Sequence, residues 1–191
     1  MRRSILEKKK NNDRRNQIIL GVILVIVMFI SVAGYAFSGG SKTESSSEKV
    51  TYNGFEFINQ NGYWFLELGN YNFYFSYNPG EVERISGEIN LLNSYSGKPL
   101  YIYSEDGFAS SEIYRNLFYN TRIVQRTQSA CLEEDCDENS PIKTCEDNFI
   151  IIKKAEEVKI TQEDNCVFIE GPEGNLTQIA DEFLFKIMNI D

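Results

Sequence analysis

Apolar and polar positions are unevenly spread along this chain. Ile18 to Phe37 (IILGVILVIVMFISVAGYAF) carries no charged residue. At about 1.5 Å rise per residue such a run reaches roughly 30 Å, and it predicts a transmembrane helix. Seven basic side chains precede it (Arg2, Arg3, Lys8, Lys9, Lys10, Arg14, Arg15), which places residues 1–17 in the cytoplasm as a basic tail and everything after Phe37 outside. A cleaved signal peptide is the alternative, with Gly34 and Ala36 before a cut at Phe37. The length of the apolar core favours an uncleaved single-pass anchor in the cell membrane. Residues 38–49 (SGGSKTESSSEK) lack any large apolar residue and read as a flexible tether. Residues 50–191 then form one exported domain.

Within that domain the period of two comes first. Phe55–Ile58, Gly62–Leu68 and Tyr71–Tyr77 are aromatic-rich runs bounded by Asn and Gly, and they predict a β-meander. Tyr71, Phe73, Phe75 and Tyr77 share one face. Gly69-Asn70 fits a two-residue hairpin turn, and Asn59–Gly62 fits a longer one. The second half alternates strand and helix. Strands are expected at Lys98–Ser104, Arg122–Gln125, Asn148–Lys153, Val158–Thr161 and Cys166–Glu170. A helix opens near Ser110-Ser111-Glu112. The last helix, capped by Asn175, carries Leu176, Ile179, Ala180, Phe183, Leu184 and Ile187 as one apolar stripe. Its Gln178, Asp181 and Glu182 are expected on the outer, solvated side. The fold class is α+β, with α/β character in the second half and a sheet covered by about two helices.

Charge sharpens the picture. Residues 1–17 hold seven basic and two acidic side chains, so the formal charge of −9 leaves −14 on the rest. That balance argues against nucleic acid as a partner, since phosphate neutralisation needs Lys and Arg. All four cysteines (Cys131, Cys136, Cys145, Cys166) fall in the domain, where two disulfides are the first reading and Cys131–Cys136 with Cys145–Cys166 the preferred pairing. A four-thiolate zinc site would want a C-x₂-C knuckle, which is missing. No metal or cofactor is expected.

The chain has no histidine, which excludes Ser-His-Asp and Cys-His catalysis. Ser41-Lys42 and Ser96-Gly97-Lys98 are poorly placed for a desolvated lysine base. Glu105 and Asp106 follow a predicted strand, so with Arg115 they are the candidate ligand edge of the sheet. An ordinary turn before a helix is the plainer reading. Ile169–Asn175 lacks the lysine and hydroxyl of a phosphate loop. The acidic run Glu133, Glu134, Asp135, Asp137, Glu138 departs from the calcium-loop pattern. Asn175-Leu176-Thr177 matches a glycosylation sequon or a helix cap.

Lys143–Ile152 with Asn165–Ile169, Ala180–Leu184, Asn53-Gly54-Phe55 and Gly62-Tyr63-Trp64 resembles uncharacterised single-anchor membrane proteins of small-genome archaea. The resemblance implies the membrane location and structural cysteines, and carries no activity. The leading expectation is a non-catalytic protein-binding or membrane-complex subunit, with exposed tyrosines as contacts. The alternative is a carboxylate-based hydrolase of surface glycans with Glu105 as its acid.

Overall fold

The structure, a computed structural model, describes residues 15–30, 48–132 and 140–190. The chain divides into two units, Met1–Ser46 and Ser47–Asp191.

In the first unit residues 15–30 form helix α1, its large apolar side chains at least half exposed. Among the described residues no helix is long and apolar enough to cross a membrane. That finding overturns the single-pass location expected from Ile18–Phe37. Residues 31–37 of that stretch, and residues 38–47 of the expected tether, lie outside the described residues.

The second unit is α+β. Four strands, β1 (Lys49–Tyr52), β2 (Phe55–Gln60), β3 (Tyr63–Leu68) and β4 (Tyr71–Phe75), form an antiparallel sheet in sequence order. β1 is additional to the three expected runs. It pairs with β2 across Asn53-Gly54, whose positive φ values (45° and 86°) suit a type I′ turn. Asn61-Gly62 makes a second such turn (54° and 84°), tighter than the hairpin expected at Asn59–Gly62. Gly69 takes the positive φ of the third turn, as expected. Phe57, Trp64, Leu66, Phe73 and Phe75 are buried on one face of this sheet, whereas Tyr71 is exposed.

A five-stranded mixed sheet follows, ordered β6-β5-β7-β9-β8. Its strands are β5 (Pro99–Ser104), β6 (Arg126–Ser129), β7 (Phe149–Lys154), β8 (Lys159–Glu163) and β9 (Cys166–Gly171). All are parallel except β8, which runs antiparallel to β9. Phe149–Ile152 of β7 are buried, as expected for a central strand. β6 begins where the expected strand Arg122–Gln125 ends. Helix α2 (Gly107–Tyr114) starts earlier than Ser110, capped by Asp106, whose Oδ1 accepts from Ala109 N at 2.7 Å, and runs into a π-helical turn, Arg115–Tyr119. Helix α3 (Leu176–Ile187) buries the whole expected stripe. Asn175 makes no side-chain cap there and ends a short 3₁₀ turn instead.

Asp181 and Glu182 are a correction. Both are buried, because residues 76–85 pass over the side of α3 expected to face solvent. One core thereby joins the first sheet, both helices and one face of the second sheet. The chain between the sheets continues along β8, where Gly87 (φ 140°) passes Ile160 O so closely that a Cβ would sit 2.9 Å from it.

The other face of the second sheet carries a smaller cluster of Tyr101, Ala130, Phe149, Ile151 and Cys166. There Cys145 and Cys166 form a disulfide. Cys131 is disulfide-bonded as well, and Cys136 lies outside the described residues. The Cys145–Cys166 bridge spans a sequence separation of 21, for which loop entropy gives about 3 kcal/mol. Replacing both by Ala is expected to lower stability by that order. The check is a urea titration followed through Trp64, the single tryptophan.

Candidate functional site

The expected ligand edge does not assemble as one site. Glu105 Oε2 accepts from Lys154 N at 2.9 Å, tying the end of β5 to the end of β7. Asp106 is occupied in capping α2. Arg115 lies at the far end of that helix, pairs with Glu112 at 2.5 Å, and stacks over the Tyr63 ring at 4.4 Å. Among the described residues no group of three or more His, Cys, Asp or Glu could hold a metal ion. The acidic run from Glu133 to Glu138 lies outside them.

Three exposed aromatics stand on α2 and its π-helical turn, two of them, Tyr114 and Tyr119, in one ring cluster. Phe108 is 78% exposed, Tyr119 62% and Tyr114 41%. The Tyr114 ring centroid lies 5.6 Å from Phe118 and 6.1 Å from Tyr119. Arg122 covers Phe118 at 4.3 Å. These side chains belong to α2 and its π-helical turn, which widens the helix by one residue and spreads Tyr114, Phe118 and Tyr119 over its surface.

Beside them runs β6, an edge strand of the second sheet. Between β6 and α2 lies an open hollow of about 310 Å³, lined by Ile102, by Ser110, Ser111 and Tyr114 of the helix, and by residues 127–129 of the strand. No charged side chain lines it. Ser110 and Ser111 Oγ both donate to Gly107 O, so their oxygens keep lone pairs to offer. Ala130 N donates to Ile102 O at 3.2 Å. In a parallel ladder that bond turns the backbone N–H and C=O of Thr127 and Ser129 away from β5. Among the described residues these are two donors and two acceptors next to the hollow; two positions on, Cys131 is paired outward, its N donating to Pro141 O at 3.0 Å and its O accepting from Lys143 N at 2.7 Å.

Across the strand the surface changes sign. Arg126 donates to Tyr101 Oη at 3.3 Å, and Lys143 Nζ sits 4.3 Å from the Tyr101 ring centre. Hydrogen bonds from Lys143 and then Arg126 hold the Tyr101 phenol below its ordinary range, and the same contact with Tyr101 raises Lys143. Lys143 also pairs with Asp147 at 3.3 Å.

The aromatic group was reachable only in part from sequence. Eleven tyrosines carry no mark of exposure, but Phe108, two residues after a strong cap and outside the spacing of Ile113 and Leu117, is a legible outlier. No protein family, curated protein or solved structure is found to match this chain.

Proposed function

We propose that the Ser47–Asp191 unit is a non-catalytic protein-binding module that takes an extended segment of its partner along β6. The observation that carries this reading is the coincidence of the outward backbone groups of Thr127 and Ser129 with the hollow and with exposed Tyr114 and its neighbour Tyr119. An incoming strand would pair with the outward backbone groups of Thr127 and Ser129, and alternate side chains would enter the hollow. The aromatics supply rigid contact area, and large exposed rings of this kind tend to mark binding surfaces. Exposed edges are otherwise guarded by charge or proline. The hydrolase alternative gains nothing from Glu105, whose carboxylate is engaged by the Lys154 backbone.

Phage-displayed peptides selected on the full chain provide the test. Selected ligands are expected to be extended, and to bind at least about tenfold more weakly to Phe108→Ala/Tyr119→Ala, the usual effect of losing interface anchors. Ser129→Pro should do the same without unfolding the sheet, because its N–H points away from the ladder. Undiminished binding to both variants would refute the reading.

A further inference from the structure

Two carboxyl groups lie inside the core with one arginine between them and solvent. Glu112 of α2 and Asp181 of α3 are both essentially inaccessible. Glu112 Oε1 accepts from Ser76 Oγ and from Arg115 Nη2, each at 2.5 Å. Asp181 Oδ2 accepts from Tyr77 N at 2.9 Å. The two carboxyls thus grip consecutive residues at the exit of β4. Their remaining oxygens, Glu112 Oε2 and Asp181 Oδ1, are buried without a hydrogen-bond partner, as is Arg115 Nη1.

Charge gives the proton count. Arg115 supplies one positive charge against two carboxyls, and a single added proton makes the buried group neutral. Without it, one uncompensated negative charge remains in the core. Arg115 faces the pair from the π-helical turn, and the Tyr77 N–H faces it from the segment after β4. On α3, Glu182 accepts from Ile85 N and Lys186 donates to Ile85 O. Burial is the largest influence on Asp181 and the charge of Glu112 the next, both pushing its carboxyl well above the ordinary range. The Tyr77 N–H and Arg115 oppose them and are outweighed.

We propose that Glu112 and Asp181 share one proton across the α2–α3 contact, and that its loss on raising the pH loosens the hold of both helices on the exit of β4. The direction follows from proton counts. Below the ordinary aspartate range, folded and unfolded chains both carry the proton, and the contribution is fully present. Between that range and the raised native value only the folded chain keeps it, so stability falls as pH rises. Above the native value the contribution is gone. This is the reverse of the acid sensitivity that paired carboxylates usually confer.

Urea unfolding of the full chain at pH 3, pH 5 and pH 8, followed through Trp64, tests it against Asp181→Asn. The asparagine keeps an acceptor for Tyr77 N and offers Glu112 a permanent donor. At pH 8 the variant is expected to have an unfolding constant at least about tenfold smaller than the parent, since each pH unit of displacement is worth about tenfold. At pH 3, below the ordinary aspartate range, the two should be within about twofold, and the gap should widen as pH rises. A variant no more stable than the parent at pH 8 overturns the proposal. A second measurement stands if the variant fails to fold. Carbon-13 carboxyl titration of the parent should show an aspartate step above the ordinary range that moves with a glutamate signal, and its absence would equally refute the shared proton.

Discussion

Phe185→Ala is expected to cost about 3–5 kcal/mol, the range for truncating a buried aromatic. The ring is fully buried and lies 4.7 Å from Phe75 and 5.8 Å, edge-on, from Phe57. It is the side chain through which α3 meets the first sheet. Strands on one side and a helix on the other cannot close around the vacated space, so a cavity adds to the lost transfer energy. Against a total stability of about 5–15 kcal/mol such a loss is large. Urea titration should show it, with Phe108→Ala as the control. That exposed ring is expected to change stability by no more than about 0.5 kcal/mol. A Phe185 effect below about 1 kcal/mol would mean that the two layers are held together by something else.

Asn116→Ala is the second large effect, expected at about 2–4 kcal/mol. Asn116 is fully buried; its Oδ1 accepts from Tyr74 N and its Nδ2 donates to Tyr74 O, both at 2.8 Å. The side-chain amide stands where a neighbouring strand would be, satisfying one residue of the β4 edge. Alanine leaves a peptide donor and acceptor without partners, at about 1–3 kcal/mol each. Amide hydrogen exchange should localise the loss, with Tyr74 protection falling further than that of Phe65 opposite it. Asn116→Asp separates the two bonds. It keeps the acceptor for Tyr74 N but turns a lone pair towards Tyr74 O, and should be no better than alanine. Equal loss of protection across the whole sheet would assign Asn116 a general packing role instead.

Much of this fold is legible because burial and periodicity coincide. The unbroken apolar run at β7 reads as a central strand, and the alternation of Phe73 and Phe75 reads as a half-buried one. β6 (RTQS) escaped because an edge strand is held by backbone bonds on one side and needs no apolar side chains. Asp181 and Glu182 were placed outward by a rule that grants a helix one covered face. A contrary signal stood beside them: Phe185 lies one turn from Asp181, off the stripe, and an aromatic there says that the opposite side is covered too. Glu112 carries half a mark, the i,i+3 spacing to Arg115, but the serine that also holds it comes from the distant exit of β4.

The tie between Asn53 and the end of the chain has a consequence for synthesis. Asn53 Nδ2 donates to Ile190 O at 2.9 Å, across a separation of 137 residues. The first hairpin is therefore closed against the last described residue, and the aromatic face of the first sheet waits for Phe185. Strands made early can pair locally within microseconds, yet they have nothing to pack on until α3 has left the ribosome. At about 5–20 residues per second that interval lasts several seconds. Throughout it, Phe57, Phe73 and Phe75 are open to chaperones or to copies of the same nascent segment. A stop codon just before α3 should therefore yield an aggregating chain rather than a smaller folded one.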